Sequence, residues 1–294
     1  MLFRSEPHPI AFLAPDKAPR RISTPRQKEQ LIREAGIDVL FVAKFNAEFA
    51  SLSPEDFIRN YIMDGLHARV VCVGSNFNFG RNQSGTIHTL RQWPTRFEIV
   101  ETAAVMIRRT VASSTLIRKY VAAGRMTAAA RMLGRWLELE GRIVSGAGRG
   151  RKMGAPTLNM EPDNELMPPH GVYVTRISLD GGAYLDGVTN IGVRPTFSDG
   201  DAVTVETFVL NGNAPAAATS GRLQLIYRLR DERKFRSPEE LRDQIGRDVH
   251  RANKVLRLIK HSGDARPHVR VDVYSRPNCH LCHEAEAVIE RVRQ

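Results

Sequence analysis

Cysteine is scarce, with 3 in 294 residues. That excludes a small disulfide-stapled scaffold and predicts a reducing compartment. No apolar run reaches the ~18–20 residues that span a bilayer. The opening residues, MLFRSEPHPIAFLAPDK, lack a basic segment followed by an unbroken apolar core, so no secretory leader is expected. These absences predict a cytoplasmic protein with no membrane partner. Internal repeats and low-complexity tracts are missing too. Acidic residues are outnumbered, 32 against 43 basic ones, giving a formal net charge of +11. Such an excess suits polyanions: nucleotides, nucleic acid or acidic lipid. What is present is ordinary, 42% hydrophobic and 26% charged residues, the balance of a globular chain. The length suits two domains at the usual ~100–200 residues each.

Up to about Gly134, helices and strands alternate. Residues 24–34 read as a helix and 37–43 (IDVLFVA) as a buried strand. Ser53-Pro54-Glu55-Asp56 reads as an N-cap, a proline at the first helical position and acids in the first turn, opening a helix to about Gly65. Strands are expected at 68–73 (ARVVCV) and 97–101, and Ser113-Ser114-Thr115 caps a helix to Ala123. Cys72, inside an apolar strand, reads as a core residue. This alternation argues for a parallel α/β sheet. Beyond Gly134, period-2 segments take over at 137–144, 172–179, 203–210 and 222–229, the pattern of an antiparallel barrel or sandwich. A long helix from Ser237-Pro238-Glu239-Glu240 to about Lys260 closes it, with Leu241, Ile245, Val249, Leu256 and Ile259 on one stripe. Residues 261–268 read as a linker. A strand at 269–274, a turn at 277–283 and a helix at 284–293 follow, too little chain to bury a core alone.

The most informative stretch is 146–159, GAGRGRKMGAPTLN. Its glycines, Gly148, Gly150 and Gly154 among them, let backbone N–H groups approach an anion. Arg149, Arg151 and Lys152 add positive charge. No GK[ST] follows, which excludes a Walker A loop, and no helix follows, which excludes the dinucleotide fingerprint. Thr157 and Asn159, two apart on an extended segment, share one face. A hydroxyl and an amide oxygen are hard ligands of the kind Mg²⁺ takes beside phosphates. A solvated basic turn is the plain alternative for the loop. In VTVETF, Glu206 lies opposite Val205 and Thr207 by alternation. Facing inward, it would be a general base for a hydroxyl attacking a phosphate. Facing outward, it would be a surface carboxylate, and the residues alone favour that reading.

At this point the motifs resemble a known family. Residues 148–159, then 190–197 (NIGVRPTF), then Val205-Glu206-Thr207, then 229–235 (LRDERKF) resemble the riboflavin kinase domain. Upstream, Glu6-Pro7-His8-Pro9, FASLSPEDFI at 49–58, VGSNFNFG at 73–80 and SSTLIR at 113–118 resemble the partner domain of the bacterial bifunctional riboflavin kinase/FMN adenylyltransferase, or FAD synthetase, family. The resemblance is collinear over about residues 1–260. It implies a Rossmann-like nucleotidyltransferase domain, 1–124, and a six-stranded β-barrel kinase domain with a C-terminal helix, 125–260. It implies phosphorylation of riboflavin to FMN with Mg²⁺ and ATP, and small-molecule partners only. It assigns nucleotide binding to Gly148, Arg149, Gly150, Arg151, Gly154, Pro156, Thr157 and Asn159, the metal to Thr157 and Asn159, and the general base to Glu206, which reverses the surface reading.

The chain also departs from the family pattern. Phe208 stands where the family usually has histidine after its Glu-Thr pair, and NGNAPAAAT at 211–219 replaces an acidic Asp-Gly segment. The family's first strand and HxGH signature lie upstream of its Pro-His-Pro segment, and none of the 9 histidines here forms HxGH. The expectation is that this chain starts inside that domain, leaving Ser114, Thr115 and Arg118 as an adenylyltransferase remnant, with FAD formation impaired. His8 alone reads as structural.

Cys279-His280-Leu281-Cys282 follows the expected strand at 269–274 and resembles the start of a glutaredoxin- or thioredoxin-like domain, here a fragment over 269–294. A redox role for Cys279 and Cys282, a zinc site, and a plain tail with two thiols all remain open. Trp93, Trp136, Phe77 and Phe79 read as packing rather than flavin stacking. The leading expectation is a riboflavin kinase. The alternative is a non-catalytic nucleic-acid-binding protein, which its salt dependence would reveal.

Overall fold

A computed structural model describes residues 1–93, 97–145, 157–194, 202–210 and 217–261. The first part contains β1 (Leu2–Glu6), α1 (Pro9–Leu13), α2 (Pro25–Glu34), β2 (Leu40–Lys44), α3 (Ala47–Ser51) and α4 (Pro54–Phe57). Thr24 caps α2 with a reciprocal pair of bonds: its hydroxyl accepts from Gln27 N–H, and the Gln27 side chain accepts from Thr24 N–H. Ser53 caps α4, accepting from Asp56 N–H at 3.0 Å, and the helix continues to Gly65 as wider π turns. Then come β3 (Val70–Gly74), β4 (Asn78–Phe79), β5 (Gly85–Thr86), α5 (Ile87–Gln92), β6 (Glu98–Thr102), β7 (Met106–Ile107), β8 (Thr110–Val111), α6 (Ser114–Ala122) and α7 (Met126–Leu133).

β1 pairs in parallel with β2, and β3 in parallel with β6. Both pairs pack on the helix over 54–65, where Phe57, Ile58 and Ile62 meet Phe3, Val71, Val73 and Ile99. Phe3 stacks on Phe41 at 5.4 Å and meets Phe57 edge-on at 5.6 Å. The opposite face is uncovered at Leu2, Val42 and Val70. Cys72 points to that face and is exposed, so its reading as a core residue is corrected. In β3 the residues turned to the helix are Val71 and Val73; an apolar run seen from the sequence hides which half of the alternation is covered. Trp93, Phe77 and Phe79 pack in the helix cluster, as expected of them.

The second part is a closed antiparallel barrel. Its strands are β9 (Leu137–Val144), β10 (Thr157–Pro162), β11 (Gly171–Leu179), β12 (Leu185–Arg194), β13 (Ala202–Val209) and β14 (Ser220–Arg230), in the order β10-β13-β12-β11-β14-β9. Leu139, Tyr173, Ile177, Ile191, Leu223 and Leu225 fill it, each with no exposed surface. Beside them the hydroxyls of Thr175, Thr189 and Thr207 form a buried chain at 2.8 Å per link, so each satisfies its neighbour. β12 has no period-2 signature, because Asp186, Gly187, Asn190 and Gly192 interrupt it. Gly187 fits a tight spot: a Cβ there would lie 3.0 Å from the Thr207 methyl and 3.2 Å from the Thr175 hydroxyl and would push on both.

The last helix, α8 (Pro238–His261), lies against the barrel wall. Ala252 and Leu256 pack on Val172, Val174, Ile226 and Leu229. The stripe read from the sequence misses Gln244 and Asp248, which are as buried as the apolar residues. Arg230 explains the acid: its Nη2 lies 2.8 Å from Asp248 Oδ2, and a buried charge needs such a partner.

The two parts share a hydrophobic cluster, in which Ile117, Val121, Met126 and Ala129 pack with Leu137, Leu139 and Tyr173 of the barrel, and polar contacts add to it. The Arg21 N–H and Nε donate to Glu165 at 2.8 and 2.5 Å. Gln27 donates to the Glu138 carbonyl at 3.1 Å and accepts from Asn164 at 3.0 Å. The Arg21 N–H, then its guanidinium, hold the Glu165 carboxyl below the usual carboxylate range. A depressed pKa stabilises the fold above the unfolded value of about 4.3, and that contribution is lost as pH falls through the folded value. Glu165→Gln should therefore lower the melting temperature at pH 7, with the difference from the parent chain narrowing as pH falls below the unfolded value. Thermal unfolding at pH 7 and at low pH checks this. A difference that does not shrink between pH 7 and low pH would show that charge is not what Glu165 contributes.

Candidate functional site

Two neighbouring strands of the barrel carry the predicted Thr157, Asn159 and Glu206, and a third strand flanks them. In the β10–β13 ladder Asn159 is opposite Glu206, and in the β13–β12 ladder Glu206 is opposite Asn190. Directly opposed residues share a face, so Asn159, Glu206 and Asn190 form one row. Thr157, Phe208 and Val188 form the next row on the same face. The alternate rows, Leu158–Thr207–Thr189 and Met160–Val205–Ile191, point the other way. Val205, Thr207, Thr189 and Ile191 are all at most 1% exposed, so that other face is the barrel interior.

Glu206 is therefore on the outer wall, and the inward orientation expected of it is corrected. The interior is filled by apolar side chains and threonines, where a lone carboxylate would lack hydration. On the outer wall Glu206 is half-buried among Asn159 and Asn190 rather than fully solvated. Thr157 and Asn159 are half-buried too. Their oxygens are hard donors. Among the described residues there is no cluster of three or more His, Cys, Asp or Glu that would hold a metal ion unaided. A hydroxyl and an amide suit a Mg²⁺ that brings its own waters and a phosphate.

The sequence reading missed two neighbours. Asn190 donates through Nδ2 to Glu232 Oε1 at 3.3 Å. Glu232 belongs to the segment between β14 and α8, and its carboxylate rests over Gly192, where a Cβ would lie 2.5 Å from Oε1. The segment is anchored beside it: Arg233 lies over the Phe235 ring at 4.7 Å and donates to Gln244 at 3.1 Å. Asn190 and Glu232 stand within motifs quoted for the family, but only the register shows that Asn190 adjoins Glu206, and only the fold brings Glu232 to Asn190. Gly148, Arg149, Gly150, Arg151, Gly154 and Pro156 lie outside the described residues, as do Cys279 and Cys282.

In the first part, Ser113 is the cap of α6, its hydroxyl accepting from Leu116 N–H at 3.3 Å. Ser114 and Thr115 are exposed in the first turn, and Arg118 donates to the Arg20 carbonyl at 2.8 Å. Cations gather around this helix. Burial, then Arg118 and Lys28, lower the His8 pKa. Burial, then Arg4 and Arg21, lower that of Lys28. Only Arg4 and Arg21 of this group have carboxylate partners among the described residues, Glu6 and Glu165. The sequence reading had Arg118 but not Arg4, Arg21 or Lys28, which the fold brings in from β1, the segment before α2, and α2. His8 has a structural task as expected, capping α1 by accepting from Ile10 N–H at 3.2 Å.

A groove of about 620 Å³ lies on the opposite wall of the barrel, lined by Gln27, Arg135, Trp136, Tyr184 and Arg222 among others. It contains none of the predicted residues. Its charges are mixed, and its aromatic hydroxyl is occupied, since Tyr184 donates to Glu138. Size alone does not make it the reaction site; the row on β10, β13 and β12 has the hydroxyl, amides and carboxylate that phosphate chemistry uses.

An α/β part with a gathered cationic cluster, joined to a closed barrel with a carboxylate–amide row, has groups of the kind a two-part nucleotide-using transferase needs. Two family models match the chain: FAD synthetase over residues 1–116 and riboflavin kinase over residues 133–256. Proteins described as bifunctional riboflavin kinase/FMN adenylyltransferase are similar along most of its length. That of Buchnera aphidicola (Schizaphis graminum) is 31% identical, covering 88% of this chain and 84% of its own. That of Escherichia coli K12 is 32% identical over 88% and 83%, and that of Bacillus subtilis 34% over 84% and 79%. A crystal structure described as a macrolide-efflux protein from Streptococcus pneumoniae superposes with a TM-score of 0.77 at 26% identity, covering 85% of this chain and 82% of that one. No helix among the described residues here is long and apolar enough to cross a membrane. The chain belongs to the bifunctional riboflavin kinase/FMN adenylyltransferase family. Its match to the riboflavin kinase model marks a phosphotransferase of FMN and FAD biosynthesis.

Proposed function

We propose that phosphoryl transfer takes place on the outer face of β10, β13 and β12, with Glu206 as general base and Thr157 and Asn159 facing the metal and phosphates. The observation that carries this is the cross-strand row Asn159–Glu206–Asn190. The Glu206 carboxylate takes the proton of the ribityl 5′-hydroxyl as that oxygen attacks the γ-phosphorus, and ADP leaves. Thr157 Oγ1 and Asn159 Oδ1 would hold Mg²⁺, which when bound neutralises phosphate charge. The loop with Gly148, Arg149, Gly150, Arg151, Gly154 and Pro156 runs directly into β10, so its N–H groups and cations would reach the same phosphates.

In this reading residues 125–260 are the kinase domain and 1–124 an adenylyltransferase-like domain, with a linker at 261–268 and a fragment at 269–294. Ser114, Thr115 and Arg118 attract a triphosphate, aided by Lys28, and these 294 residues, which contain no HxGH, would transfer adenylyl groups slowly. Asn159→Ala and Thr157→Val should weaken Mg·ATP binding about tenfold or more each, the worth of a charge-assisted contact, and leave riboflavin binding near normal. Calorimetric titration of both ligands is the test. Unchanged Mg·ATP affinity in both variants would remove these residues from the site.

A further inference from the structure

We propose that Glu232 is a positioning residue for the kinase reaction, orienting the Asn190 amide that holds the ribityl hydroxyls beside Glu206. The inference rests on the location of the site given above and adds a residue to it. Asn190 is the cross-strand partner of Glu206, so its amide borders whatever hydroxyl approaches that carboxylate. An amide can flip, presenting either its oxygen or its nitrogen. A carboxylate accepts only, so the bond from Asn190 Nδ2 to Glu232 Oε1 at 3.3 Å selects one orientation. The second N–H and Oδ1 then make a donor–acceptor pair, which is what a polyol chain matches.

The surroundings are shaped for this contact. Gly192 is two residues beyond Asn190 on the same face. The three nearest atoms to a Cβ built there are Oε1, Cδ and Oε2 of Glu232, at 2.5, 2.9 and 2.9 Å. The missing side chain is therefore the space the carboxylate occupies. The segment that delivers Glu232 is held at both ends. On one side Arg230 pairs with the buried Asp248, and on the other Arg236 N–H donates to Glu240 at 2.9 Å. α8 thus fixes a reach from outside the barrel to the row on its wall.

The test is a double-mutant cycle in Asn190→Ala and Glu232→Ala, read as KM for riboflavin and for ATP. Glu232→Ala should raise the riboflavin KM about tenfold, the worth of one hydrogen bond to a charged group, with the ATP KM and melting temperature unchanged. Glu232→Gln, which keeps an acceptor oxygen, should restore most of the loss. The double variant should match Asn190→Ala alone, because Glu232 acts through that amide. Gly192→Ala should reproduce Glu232→Ala by displacing the carboxylate and have no further effect in its background. Additive effects, or a change in the ATP KM instead, would overturn the proposal. Asn190→Ala sensitive with Glu232→Ala silent would sink this inference alone. Asn190→Ala and Glu206→Gln both silent would sink the site beneath it.

Discussion

Replacing Glu206 with glutamine is expected to slow FMN formation by ~10²–10⁴-fold, the usual loss when a positioned general base is removed. The substitution preserves shape. Val205 and Thr207, at 1% exposure each, hold β13 in the barrel from the other face, so the fold should be undisturbed. Glutamine can still accept a hydrogen bond from a hydroxyl, so riboflavin should bind, but it cannot take the proton. Mg·ATP affinity should be near normal, because in the proposed site the phosphates would face Thr157 and Asn159 rather than this carboxylate. Turnover assays beside calorimetry separate the effects. Turnover like that of the parent chain would show that another group is the base.

The second large effect is a split between the two activities. These 294 residues, incubated with riboflavin, ATP and Mg²⁺, should accumulate FMN and form FAD at least about a hundredfold more slowly, since each missing donor to a developing oxyanion costs ~10²–10³-fold. Adenylyl transfer builds negative charge on phosphate oxygens. The cations here, Lys28, Arg118 and the partly paired Arg4 and Arg21, can attract a triphosphate. Attraction alone is not aimed at the transition state. Chromatographic separation of the flavins over time decides it, and FAD appearing as fast as FMN would show that the histidine motif has been overvalued.

Local signals in the sequence located most elements. Thr24, Ser53 and Ser113 cap helices because their short hydroxyl side chains reach the N–H groups just ahead of them. Period-2 alternation gave β9, β11, β13 and β14, where one face is apolar. β12 was not legible as a strand, since its outer positions mix Asp186, Asn190 and Gly192 with Val188, and its inner Thr189 takes part in a hydroxyl chain visible only once the barrel closes. β1 also went unread: Phe3 earns its place by stacking on Phe41, which is remote in sequence. In the site, Thr157, Asn159 and Glu206 were legible as residues, but not the side of the wall they face. Orientation depends on which alternate set the closed barrel swallows. Glu232 was beyond reach, because a charged loop between a strand and a helix reads as solvated. Its contact with Asn190 exists only through α8 and the space at Gly192.

The location of the reaction site is tested most directly by backbone amide chemical-shift mapping with riboflavin and Mg·ADP added to the whole chain. The largest shifts should fall at 157–160 in β10, 188–192 in β12 and 204–208 in β13, with a further response at Glu232. Shifts concentrated instead at Trp136, Tyr184 and Arg222, across the barrel, would place the substrates in the opposite groove and contradict the assignment of Glu206, Asn159 and Thr157 together.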